Sequence, residues 1–76
     1  MKKYKMDEEL LEVGKVFTDM CFENISDIDF RNCTFLNCKF KGSFKRNVFS
    51  NCVFFKSQFN ITVSYNNDIY DCTVRG

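Results

Sequence analysis

The chain has 76 residues and a formal net charge of +1, a length that points to one domain with a small, marginal core. Its 10 Phe come without any Trp, Pro or His, and the lack of His removes the commonest general base and the commonest metal ligand. The apolar runs are far too short to span a bilayer, so no membrane segment is expected.

In chain order, the basic stretch Met1–Lys5 is not followed by the apolar h-region of a secretory signal. Met6–Val13, MDEELLEV, is the helical candidate. Acids fill its first turn, where they suit the helix dipole. Met6, Leu10, Leu11 and Val13 would form one apolar stripe, and Gly14 supplies a stop. A helix this short is not stable alone in water. Residues 1–16 are therefore expected to form an N-terminal segment whose helix caps the remainder, residues 17–76.

From Phe17 onward a five-residue period takes over. The units read SDIDF, RNCTF, LNCKF, a short KGSF, then KRNVF, SNCVF, FKSQF, NITVS, YNNDI and YDCTV. They end on Phe30, Phe35, Phe40, Phe44, Phe49, Phe54, Phe59, Ser64, Ile69 and Val74. Neither a helix nor a flat strand has this period, and fixed-period self-similarity marks a repeat architecture. The pattern is clearest in Ile28–Gly42 and next in Ser50–Phe59, and it resembles the pentapeptide-repeat proteins over about residues 20–75. Their unit has a central Leu or Phe, a small residue two before it, and polar residues between. The short KGSF step, Asn47 and Asn67 at small-residue positions, and Ser64 at a centre depart from that unit.

The resemblance implies an all-β fold: a short right-handed quadrilateral β-helix of about three coils, one pentapeptide to each side of a square. Central residues and those two before them would point inward. Cys33, Cys52 and Cys72 lie 19 and 20 residues apart, so one coil places them in one inward column. Phe35, Phe54 and Val74 form the column beside it, Phe30, Phe49 and Ile69 another, and Asn47 lies beneath Asn67. Stacked Phe rings would fill the interior, and the Asn column would pair its amides from coil to coil. The expected core is thus the seven unit-ending Phe with Cys33, Cys52 and Cys72. The C-terminal coil has no evident cap.

The cysteines are Cys21, Cys33, Cys38, Cys52 and Cys72, an odd set without the paired knuckles of a structural zinc site. They read as small buried side chains with reduced thiols, in a cytoplasmic protein. Without His, a Ser or Cys nucleophile has no common partner base. Asp27 and Asp29 belong to the outward set, and Gly14, Gly42 and Gly76 make no phosphate loop. No catalytic, metal or cofactor residues are assigned, and the chain is expected not to be an enzyme.

Function then falls to the outward positions. Lys39, Lys41, Lys45 and Arg46 cluster near the short step, with Lys56 one coil on. They form either a solvated corner or a ridge that meets phosphates or an acidic partner. Leu36 and Phe55 stack outward beside Val53, and Tyr65 and Tyr70 face out from the last coil. These four mark a partner site, unless the register slips by one and turns some of them inward. Acids from Asp7 to Asp29 gather toward the N-terminal end, and relatives in the resembled family include acidic rods that imitate duplex DNA. The expected function is a non-catalytic protein-binding module, in its most concrete form a bacterial or phage inhibitor of a host enzyme acting on nucleic acid (DNA-mimic or anti-CRISPR type). The alternatives are a direct nucleic-acid binder through the basic ridge and a structural oligomerisation unit. A homodimer through the C-terminal coil is expected, since a second copy would cover its open end.

Overall fold

A computed structural model describes residues 1–76, which form twelve short strands and no helix. The strands are β1 (Lys2–Lys3), β2 (Leu11–Val13), β3 (Val16–Thr18), β4 (Met20–Glu23), β5 (Asp29–Arg31), β6 (Thr34–Leu36), β7 (Lys39–Lys45), β8 (Val48–Ser50), β9 (Val53–Phe55), β10 (Gln58–Tyr65), β11 (Asp68–Tyr70) and β12 (Thr73–Arg75). All pairings are parallel. Three sheets result, in the orders β1-β4-β7-β10, β2-β5-β8-β11 and β3-β6-β9-β12. Each sheet takes every third strand, so the chain winds as a β-solenoid of about four turns. Strands β7 and β10 each cover two sides, with β7 turning at Gly42. Three sheets therefore enclose four sides.

The five-residue period has a local cause. Asn32, Asn37, Asn51 and Asp71 adopt left-handed backbone with φ between 53° and 55°, a conformation that Asn and Asp tolerate better than other side-chain-bearing residues. Each immediately precedes an inward Cys: Cys33, Cys38, Cys52 or Cys72. A unit is thus one corner residue, one small inward residue, and a three-residue strand with its ring at the middle. The short KGSF step also has an account. Opposite it, β10 carries an irregularity between Ile61 and Val63, so the longer coil sheds its extra residue as a bulge. A Cβ at Gly42 would run into the side-chain oxygen of Asn24, which instead accepts the Ser43 N–H at 2.8 Å.

Ring columns run through the centre. Phe30 stacks on Phe49 at 4.7 Å, Phe35 on Phe54 at 4.8 Å and Phe22 on Phe40 at 5.0 Å, all within 7° of parallel. These separations match the spacing of hydrogen-bonded strands, about 4.8 Å. Rings within one coil meet edge to face, as Phe35 does with Phe40 at 5.2 Å and 73°. The side chains of Phe22, Phe30, Phe35 and Phe40 are almost wholly buried. Asn47 is also fully buried. Its Oδ1 accepts the Ile28 N–H at 3.1 Å, and its Nδ2 donates to the Ile25 carbonyl at 3.2 Å. Above it, Asn67 Oδ1 accepts from both Asn47 N–H and Nδ2. The Asn column thus pairs from coil to coil as its spacing implied.

The expected N-terminal helix is absent. Leu10 has φ 52°, which breaks a right-handed helix, and Leu11–Val13 instead pairs with Asp29–Arg31. An eight-residue helix gains little by itself, whereas a strand laid on an existing parallel edge gains ladder hydrogen bonds and covers Phe30. The apolar stripe read for the helix does not form one buried face, since Met6, Leu11 and Val13 are exposed. The solenoid consequently begins at Lys2 rather than at residue 17, and its sheets are four strands deep instead of the three coils expected. Its first layer is closed by Tyr4, which stacks on Phe22 at 4.7 Å, meets Phe17 edge-on at 5.8 Å and donates its hydroxyl to Glu12 Oε2 at 2.6 Å. That bond and burial push the Tyr4 phenol well above its ordinary value, with burial the larger cause.

Candidate functional site

The two ends of the solenoid differ. At the N-terminal end Tyr4 is buried and Phe17 half-buried over the first rings. At the C-terminal end nothing covers the last layer. Phe59 stacks on Phe40 at 5.1 Å yet remains 45% exposed, and Ile69 and Val74 are 64% and 67% exposed. Cys72 keeps its inward place, donating to the Phe49 carbonyl at 3.3 Å, but is only half-buried. Phe59 and Cys72 thus belong to the core columns by direction, though not by burial. The outer edges of β10, β11 and β12 are also unpaired along this rim, which leaves ladder donors and acceptors open.

Between Phe59, Ile61, Ser64, Asn67 and Ile69 lies a shallow hollow of about 70 Å³, floored by Phe40, Phe44, Phe49 and Phe54. It is smaller than the roughly 150 Å³ cavity that takes a benzene ring. It suits an inserted side chain better than a substrate. Asn67 spends its Nδ2 on the Phe44 carbonyl at 2.8 Å and on Ser64 Oγ at 3.1 Å. Ser64, the polar residue at a unit centre, is thereby accounted for.

The side faces sort the remaining candidates. Leu36 and Phe55 are register partners on adjacent strands, both outward, with Thr34 and Val53 paired beside them. Phe55 is 39% exposed, and the Lys56 ammonium lies 5.4 Å from its ring centroid. Tyr65 and Tyr70 are exposed, next to Lys45 and Ser50 in register. The basic cluster does not stay together as one ridge. Lys39 and Lys41 project outward from β7, while Lys45 lies past the Gly42 turn on the next side. Arg46 occupies a corner and grips Asp27 through Nε at 2.6 Å and Nη2 at 3.1 Å. That contact holds the Asp27 carboxyl below its ordinary range.

The thiols are turned to structure. Cys33 donates to the Glu12 carbonyl at 3.4 Å, Cys38 to the Phe17 carbonyl at 3.3 Å and Cys52 to the Phe30 carbonyl at 3.6 Å. Each bond ties one coil to the coil below. Burial pushes all three thiols up, Cys52 to about 11, so the neutral form that donates prevails. No group of three or more Cys, Asp or Glu is placed to hold a metal ion, and no helix is long and apolar enough to cross a membrane.

Sequence reasoning did not place Phe22 and Ile25 in the core, and both are buried, while Ile28 and Cys38 take the inward places expected of them. The signal for Ile25 was present, since it stands five residues before Phe30, whereas Phe22 lies 18 residues before its partner Phe40, short of the 19- and 20-residue steps counted for the other columns. The neutralisation of Arg46 by Asp27 becomes visible only when the two stand in one corner column. Comparison of the sequence with protein-family models and with curated proteins gives no match.

Proposed function

We propose that this chain is a pentapeptide-repeat protein acting as a non-catalytic protein-binding module in the cytoplasm. Its role is to bind and inhibit an enzyme that acts on nucleic acid, in the manner of a DNA-mimic or anti-CRISPR protein. Two copies pair through their open C-terminal ends. The carrying observation is the uncovered last layer, where Phe59, Ile69 and Val74 lie exposed beside unpaired strand edges. Apolar core and open ladder groups in one place favour a protein occupant over a small molecule.

The side bearing Leu36 and Phe55 supports the choice of a protein target. Its outward residues are Val16, Thr18, Thr34, Leu36, Val53, Phe55, Thr73 and Arg75. Only Arg75 is charged, and an exposed aromatic residue among aliphatic neighbours is a common interface anchor. The hollow suits an inserted side chain better than a substrate, and the buried thiols are held neutral, which favours binding over catalysis. Affinity capture from the native host, with the wild type and with a Leu36→Glu/Phe55→Glu variant, tests the target assignment. The wild type should retain an enzyme acting on nucleic acid in stoichiometric amount, and the variant should lose it. Retention of no such enzyme, or equal retention by both, refutes the reading.

A further inference from the structure

The side formed by β1, β4 and the first halves of β7 and β10 carries charge that the protein-binding reading does not use. The register sets its outward residues in two columns. One is Lys3, Cys21, Lys39 and Gln58, and the other is Glu23, Lys41 and Asn60. Glu23 is the lone acid among them, and its carboxylate lies 3.5 Å from Lys3 Nζ. Lys39, Lys41 and Lys45 make no ion pair. Lys39 and Lys41 alternate along one strand, so their stems leave the same face about 6–7 Å apart. Lys45 lies past the Gly42 turn on the next side, beside Tyr65, and is not part of the row.

The chemistry of this side selects among anions. It has no outward aromatic residue to stack on unpaired bases, which argues against single strands. It also has no aromatic or aliphatic anchor of the kind a protein interface needs at its centre. None of the arginines, whose planar forks match carboxylates, lies on this side: Arg31 binds Asp29, Arg46 binds Asp27, and Arg75 stands on the side of Leu36 and Phe55. What remains is a row of point charges on a flat sheet, suited to phosphates that need positioning rather than reading. We propose that this side binds the phosphate backbone of duplex nucleic acid, without sequence preference, through Lys39 and Lys41 with Lys3 at the edge. This contact goes beyond the protein-binding reading and does not depend on it.

Fluorescence anisotropy with a labelled duplex DNA of arbitrary sequence tests the proposal. Two to three neutralised phosphates predict that log K falls against log salt with a slope of about −2 to −3. Lys39→Gln/Lys41→Gln should weaken binding by about tenfold or more at low salt, as expected for losing two of so few phosphate contacts. Arg75→Glu, with the same change in net charge on another side, should leave it within about twofold, with circular dichroism reporting the fold of both variants. No binding at low salt overturns the proposal. So does equal weakening by Arg75→Glu, or displacement of the duplex by polyglutamate at equal charge, which would assign the side to an acidic polypeptide.

Discussion

Phe54 and Phe55 are neighbours in sequence with opposite fates, and replacing each by Ala separates the inward register from its alternative. Phe54 is 3% exposed. It stacks on Phe35 at 4.8 Å and meets Phe40, Phe49 and Phe59 at 5.4, 5.7 and 5.5 Å. Truncating a buried Phe costs about 3–5 kcal/mol. Phe54 also floors the open hollow, so water reaches part of the space left behind, and the lower figure applies. In a domain of this size each kcal/mol moves Tm by about 4–8 °C, so Phe54→Ala should lower it by at least about 12 °C. Phe55 leans on Leu36 with 39% of its surface exposed. Its loss should cost about 1 kcal/mol, because much of the ring already faces water. Thermal unfolding at one fixed protein concentration, followed by circular dichroism, gives both numbers. Equal losses, or a larger loss for Phe55→Ala, would refute the inward assignment of the unit centres.

Thiol labelling without denaturant should modify Cys21 first and Cys72 next, while Cys33, Cys38 and Cys52 wait for unfolding; labelling of those three at the rate of Cys21 would contradict their burial. The Cys52 thiol is raised in the fold from the ordinary 9.0 to about 11, so its contribution to stability is full below pH 9 and is lost as pH rises toward 11. That loss amounts to roughly 2 kcal/mol, and Cys52→Ser, which keeps a donor but does not titrate there, should flatten this limb of a urea-midpoint profile. Asn47→Ala removes the acceptor of the buried Ile28 N–H and the partner of Asn67, and should cost about 2–4 kcal/mol in urea unfolding; a change under 1 kcal/mol would mean that the ladder is dispensable.

The parts legible in the sequence are those that obey one spacing. Cys33, Cys52 and Cys72, and the rings above Phe30 and Phe35, repeat at coil length, so their columns could be counted. The first layer could not, because it breaks the motif. Glu12 sits at a unit centre, where a charge has no place until the Tyr4 hydroxyl, eight residues away, and the Lys15 ammonium are brought to it. Its neighbours Asp7, Glu8 and Glu9 read as the start of a helix, and no local feature tells that pattern from a strand added to a pre-existing edge. The outward candidates were legible as directions only. Lys39 and Lys41 point out as expected, but their separation from Arg46 depends on the Gly42 turn and on Asp27, which lies 19 residues earlier in the same column.

The open C-terminal end is the feature on which the account rests. The molecule measures 25 × 22 × 20 Å between its extreme Cα atoms, so two ends meeting squarely bury about 900–1,100 Å² in total, close to the ~1,000 Å² of a stable interface. The pairing should therefore depend on concentration. Sedimentation equilibrium from low to high micromolar, for the wild type and for Ile69→Asp, measures it directly. The wild type should rise from the 9.0 kDa of one chain to twice that mass, while Ile69→Asp stays at one chain with an unchanged circular dichroism spectrum. A folded wild type that remains at 9.0 kDa throughout, or an Ile69→Asp variant that pairs as well as the wild type, would contradict it.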